Sequence, residues 1–106
     1  MLKLNTVEEL DRFMQGKSEV ILFKHSTTCP ISAGAYDEFM SYVKSEEMKP
    51  WALVIVQEAR PVSTEIAERT GVKHESPQVL YVKDGNVVWH ASHWNITEKE
   101  LKKAID

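Results

Sequence analysis

The chemistry of this chain centres on one sulfur. Cys29, in the stretch "FKHSTTCPIS" from Phe23 to Ser32, is its sole cysteine. A thiolate attacks disulfide sulfur and forms a mixed disulfide. With no second thiol in the chain, any disulfide partner of Cys29 comes from another molecule. Ser32 stands three residues on, where a partner cysteine would close an internal disulfide and a hydroxyl cannot. Around Cys29 the sequence sets Thr27, Thr28 and Ser32, whose hydroxyls are within reach of a sulfur. Pro30 suits a helix's first position, since its missing N–H has no helical partner there, and Ile31 follows it. His25, four residues upstream, is placed to add positive charge and tune the thiolate. An inert, buried cysteine is the other use of such a residue, so its position in the fold decides between the two.

That position is readable from the flanking patterns. "VILF", Val20 to Phe23, is an unbroken β-branched and aromatic run, as in a strand covered on both faces. After the cysteine, Tyr36, Phe39, Met40 and Val43 recur at helical spacing, which predicts an amphipathic helix from about Ile31 to Ser45. Cys29 therefore lies between the C-terminal end of a central strand and the first turn of a helix. Ligand sites in open α/β sheets lie outside such strand ends. Unpaired N–H groups and the helix dipole favour a thiolate there.

The remaining elements follow in order. Leu2 and Leu4 suit a short edge strand. Thr6 and Glu9 form a capping box ahead of Val7, Leu10, Phe13 and Met14, and Gly16 ends that helix. Pro50 precedes a second covered strand, "WALVIV", Trp51 to Val56. A short helix opens at Pro61 or Ser63, runs through Ile66 and Ala67, and closes at Thr70-Gly71. Gln78–Val82 and Asn86–Ala91 flank Asp84-Gly85 as a hairpin. Thr97 and Glu100 form a second capping box, with Leu101, Ala104 and Ile105 on the apolar face of a last helix. Trp89 is expected to face a helix layer and His90 the opposite side, while Trp94, beyond the strand end, is expected either to close the core under the last helix or to lie near the thiol and contact the bound thiol or client. The charged stretch Lys44–Lys49 reads as a solvated helix face. The order (β)αβαβαββα predicts a single α/β domain over residues 1–106. Parallel strands joined by right-handed helical crossovers and an antiparallel hairpin make a mixed central sheet with helices on both faces.

Composition narrows the function. In 106 residues with 42% hydrophobic and 27% charged side chains and a net charge of −3, acids and lysines are interleaved. The chain carries no basic footprint for nucleic acid and no apolar run long enough to span a membrane. "MLKLNTVEEL" lacks the pattern of a secretory signal. A cytoplasmic location and no resident cofactor or metal are the expectation. His25 with Cys29, or His90 with His93, lacks the further ligands that a metal site requires.

One further feature belongs with the thiol. In "HESPQVLYV" Pro77 precedes a strand, as proline must, having no N–H for the ladder. By base rate such a bond is trans. Taken as a cis-proline loop beside the thiol, it exposes the Ser76 backbone to an extended substrate.

Together these features resemble the thioredoxin fold. "EIAERTGVKHESPQVLYVKDGNVV", Glu65 to Val88, is similar to that fold's second half, and Pro77 matches its cis-proline. The fold's C-x-x-C redox motif is here Cys29-Pro30-Ile31-Ser32. Within the fold, "TTCPIS" followed by a helix with Tyr36 and Phe39 most resembles the monothiol bacilliredoxins of Bacillus-type bacteria. That resemblance implies a thiol–disulfide oxidoreductase that removes bacillithiol, a low-molecular-weight thiol and here a co-substrate, from S-bacillithiolated client proteins. Cys29 would be the nucleophile, Ser76 and Pro77 would bind substrate, and bacillithiol or a recycling disulfide reductase would release the adduct. Two other readings stand beside it: a non-catalytic thioredoxin-like binding module, and a monothiol glutaredoxin-like protein. The second lacks its C-G-F-S motif here, since residue 30 is proline.

Overall fold

In the computed structural model of the protein, residues 2–45 and 49–105 are described; residues 46–48 of the charged stretch lie outside them. The elements are α1 (Val7–Met14), β1 (Glu19–His25), α2 (Pro30–Ser45), β2 (Trp51–Ile55), α3 (Arg60–Thr70), β3 (Gln78–Lys83), β4 (Asn86–Ser92), a 3-10 turn (His93–Asn95) and α4 (Glu98–Ile105). The strand order is β2-β1-β3-β4.

β1 and β3 are covered on both sides, as their unbroken apolar runs require. Alternation along β1 sends Val20 and Leu22 into a core with α1 and α3, built from Leu10, Phe13, Val62 and Ile66. It sends Ile21 and Phe23 into a second core with α2 and α4, built from Phe39, Tyr42, Leu101 and Ile105. The same alternation continues past the apolar run, because β1 extends through Lys24 and His25. Lys24 is directed to the α3 side and His25 to the α2 side.

The capping box at α1 forms in full. Glu9 N–H donates to Thr6 Oγ1 at 3.1 Å and Thr6 N–H to Glu9 Oε1 at 3.1 Å. At α4, Thr97 Oγ1 accepts from Glu100 N–H at 3.1 Å. The hairpin turn uses Asp84 at φ 52° and Gly85 at φ 81°. Positive φ at both central residues is the type I′ geometry that matches strand twist. The expected N-terminal strand is reduced to one parallel bridge, Lys3 to Leu53, alongside β2.

One expectation is corrected. β1 and β2 pair in parallel, but the second crossover does not continue that pattern: β3 runs antiparallel to β1. Helix α3 is about 16 Å long at 1.5 Å per residue. Residues 71–77 carry no regular structure and can span about 23 Å when extended. They return the chain to the end at which β1 finishes, so β3 starts opposite Lys24. Helical periodicity counts the crossover but does not report the return segment.

The two-core arrangement predicts an uneven cost of truncation. Leu22→Ala, at a fully buried position of β1, is expected to cost about 2–5 kcal/mol. Val88→Ala, on the exposed face of β4, is expected to stay within about 0.5 kcal/mol. Urea unfolding of both variants checks this, and equal costs would contradict the layering.

Candidate active site

β1 ends at His25, residues 26–29 form a loop, and α2 begins at Pro30. The Cys29 carbonyl accepts from Ala33 N–H at 3.0 Å, so Cys29 occupies the N-cap and Pro30 the first helical position. Cys29 is half-buried and unpaired. Thr27, Thr28 and Pro30 are exposed, and Ile31 is half-buried.

Ser32 is fully buried and faces inward. Its Oγ accepts from Ser26 N–H at 2.9 Å and lies 2.8 Å from His25 Nδ1. A hydroxyl oxygen has one proton and two lone pairs, so alongside the Ser26 N–H it can pair with His25 Nδ1 as donor or as acceptor. Burial pushes the His25 pKa below its ordinary value, which favours the neutral ring. The ring packs against Tyr36 at a centroid distance of 4.9 Å and against Phe23 at 5.8 Å. His25 was expected to add positive charge near the sulfur. Its burial in an aromatic pocket favours the uncharged ring, which anchors Ser32 instead.

The threonine hydroxyls were also expected to serve the sulfur; the structure engages the Thr28 hydroxyl and the Thr27 backbone N–H with Gln57 instead. Gln57, just beyond β2, donates from Nε2 to Ser26 Oγ at 2.7 Å and to Thr28 Oγ1 at 3.0 Å. Its Oε1 accepts from Thr27 N–H at 3.3 Å. Among the described residues no hydroxyl is hydrogen-bonded to Cys29 Sγ. One amide side chain thus braces the loop from the end of β2. Sequence reasoning missed Gln57, although its place carries a signal: it follows a strand that pairs in parallel with β1, so it emerges at the same sheet end.

The Ser76-Pro77 bond is cis. Because Gln78 pairs with Lys24, this loop sits at the sheet end from which the Cys29 loop departs. The Pro77 carbonyl accepts from His93 N–H at 3.0 Å, which ties the loop to the turn after β4. Ser92 Oγ donates to Glu75 Oε2 at 2.6 Å and holds the Glu75 carboxyl below its usual range.

Trp94 is not the residue that closes the core. It is 75% exposed and lines a cleft of about 240 Å³ with Ile31, Gly34 and Ile96. His93 adopts φ 55°, a left-handed conformation that histidine enters more readily than most residues. That turn carries Trp94 outward beside the first turn of α2, and Ile96, 2% exposed, goes beneath α4. Trp89 packs on the α2/α4 core and His90 is exposed, as alternation implies.

On the α3 side, Lys24 is fully buried. Nζ donates to the Ser63 carbonyl at 3.3 Å and lies 3.1 Å from His74 Nδ1. Burial lowers its pKa to about 8. No three His, Cys, Asp or Glu side chains among the described residues group to hold a metal ion. No helix among them is long and apolar enough to cross a membrane.

A half-exposed thiol at a helix N-cap, beside a cis-proline loop at the end of a parallel strand pair, defines a thioredoxin-fold thiol redox protein. The fold is shared with Fasciola hepatica thioredoxin (TM-score 0.78, 18% identity, 99% of this chain and 96% of that one). It is shared also with a mutant thioredoxin from Halobacterium salinarum (TM-score 0.75, 18% identity, 98% and 86%). A solved structure described as a candidate oxidoreductase with a thioredoxin fold matches at TM-score 0.90 and 38% identity, over 99% of this chain and 93% of that one. The family model of the monothiol bacilliredoxin BrxC matches residues 2–101. The chain belongs to the monothiol bacilliredoxin family.

Two consequences of this geometry are measurable. Ser32→Ala leaves Ser26 N–H and His25 Nδ1 without their partner and is expected to cost about 1–3 kcal/mol in urea unfolding. The His25 pKa is lowered in the fold, so between that value and the ordinary one near 6.5 the unfolded chain binds the proton and the native chain does not. Stability therefore falls as pH drops from 7.5 to 5.5. His74, also lowered, acts in the same direction. His25→Gln is expected to flatten part of that slope in the urea midpoint, and an unchanged slope would refute the assignment.

Proposed function

We propose that the protein is a monothiol bacilliredoxin that removes bacillithiol from S-bacillithiolated proteins. The observation that carries this reading is the division of labour between Cys29 and Ser32. Cys29 is a free, partly exposed residue at the N-cap, and the residue where a resolving cysteine would sit is a buried hydroxyl held by two hydrogen bonds. The Cys29 thiolate attacks the bacillithiol sulfur of the mixed disulfide. The new bond is Cys29 Sγ to bacillithiol sulfur, the broken bond is the original disulfide, and the client leaves as a thiolate. No electrons enter or leave in this step.

Ser32 cannot attack the adduct, so the adduct persists until a second thiol arrives. Bacillithiol itself or a disulfide reductase supplies that thiol and regenerates Cys29. The open backbone beside Ser76-Pro77 receives an extended client segment, and Thr27, Thr28, Pro30 and Ile31 shape the loop that presents the sulfur. In this reading bacillithiol is a co-substrate, no resident cofactor is involved, and the cytoplasm, where low-molecular-weight thiols keep proteins reduced, is the site of action.

Incubation of a bacillithiolated client with the protein, followed by intact-mass measurement, tests the reading. The expected product is protein bearing one bacillithiol on Cys29 and client without it, with Cys29→Ser acquiring none. Transfer of glutathione at an equal rate would remove the bacillithiol assignment. Absence of any adduct, with clients still bound by Cys29→Ala, would favour the binding module.

A further inference from the structure

Behind the loop that carries Cys29, between the end of β1 and α3, lies a pocket of about 520 Å³ whose walls include Ser26, Gln57, Arg60, Ser63, Glu68 and His74. Gln57 and Ser26 belong to the bracing network of the Cys29 loop, so the pocket opens directly beside the reactive segment. Three features of its walls concern charge and hydrogen bonding. Ser63 is 4% exposed, and its Oγ has no hydrogen-bond partner. Lys24 Nζ, fully buried, lies behind the wall and is bonded to two wall residues, the Ser63 carbonyl and His74 Nδ1. Both are neutral acceptors, and no carboxylate among the described residues forms an ion pair with this ammonium. Arg60, exposed at the first position of α3, adds a guanidinium.

The positive charge is also placed. Arg60 and Gln57 lie toward the Cys29 loop. Glu68, the one carboxylate on the wall, is eight residues further along α3, about 12 Å away at 1.5 Å per residue. Ala59 caps α3 with no side-chain hydrogen bond, so the positive end of that helix faces the same region. The Arg60 guanidinium offers a fork for a carboxylate and Ser63 an unused hydroxyl, while the Lys24 ammonium adds positive charge from behind the wall.

We propose that this pocket is a carboxylate-binding subsite, which takes the acidic, non-thiol end of the low-molecular-weight thiol whose sulfur is exchanged at Cys29. The inference rests on the exchange reading of Cys29 given above and deepens it. Bacillithiol carries a dicarboxylate, so the subsite would select it over uncharged thiols while its sulfur is presented to Cys29. The covalent step is unchanged: Cys29 Sγ bonds to the sulfur of the acidic thiol and the other half of the disulfide leaves as a thiolate.

The test compares three small disulfides as oxidants of Cys29: bacillithiol disulfide, glutathione disulfide, which is also acidic, and uncharged bis(2-hydroxyethyl) disulfide. Adduct formation is followed by intact mass. Arg60→Ala and Ser63→Ala are each expected to lower the ratio of acidic to uncharged rate constants by about tenfold, the size of one charge-assisted contact. Ser63→Ala removes a hydroxyl that bonds nothing in the fold, so loss of folding does not stand in for loss of selectivity. A wild-type ratio in both variants would overturn the subsite. If wild-type protein reacts with glutathione disulfide and not with bacillithiol disulfide, and the ratio still falls in the variants, the subsite stands and the bacillithiol assignment fails. If Cys29 reacts with none of the three, the exchange reading fails and succinate decides the subsite by amide NMR. Saturable shifts at Gln57, Ser63 and His74 that vanish in Arg60→Ala support it, and their absence overturns it.

Discussion

The site depends on a hydroxyl that does no chemistry. Ser32 Oγ joins the last residue of β1, the first residue of the loop and the first turn of α2 through its bonds to His25 Nδ1 and Ser26 N–H. Gln57 braces the same loop from the end of β2 and α2 packs on the sheet, and the Ser32 link adds a direct tie between the strand end and the helix start. The surrounding Phe23 and Tyr36 rings exclude water and favour the neutral form of the His25 imidazole. Apolar packing on the α2 side of the sheet thus favours an uncharged ring, and the hydrogen bonds at Ser32 tie that strand end to the helix that carries Cys29 at its cap.

Opposite faces of one strand end perform different tasks. His25 turns to the aromatic side and organises the thiol loop, while Lys24 turns to the α3 side and lies under Ser63 and His74. An ammonium in a fully buried position has a cost that neutral partners offset only in part. Gln78, paired with Lys24 across β1 and β3, adds a second buried polar side chain there; its Nε2 donates to the Lys73 carbonyl at 3.0 Å, and its Oε1 has no partner. This polar cluster interrupts an otherwise apolar core at the end of the sheet nearest Cys29.

Much of this was legible in the residues. Periodicity located the strands and helices because both cores are built from regular alternation. The capping pairs Thr6–Glu9 and Thr97–Glu100 marked helix starts because short-range hydrogen bonds need only local chain. The thiol's position followed from one strand and one helix. What escaped was the part set by long-range geometry. The antiparallel direction of β3 depends on an unstructured return segment with no periodic signature. Gln57 reaches Thr27 and Thr28 across 30 and 29 residues of chain. The outward Trp94 depends on one left-handed residue, His93, and apolar patterning could not tell Trp94 from Ile96 as the plug beneath α4. His25 was placed beside the thiol by its spacing, but its charge is decided by burial that spacing does not report.

The pairing of a lone sulfur with a locked hydroxyl has a consequence for bookkeeping in the cell. In a dithiol domain, exchange can end with both sulfurs joined inside one chain, so the oxidised form has the same composition as the reduced form less two hydrogens. In this domain disulfide exchange cannot change the oxidation state of Cys29 without attaching a passenger. Oxidation and ligation become one variable, and the population of its forms reports which thiols are present as well as how oxidising their surroundings are.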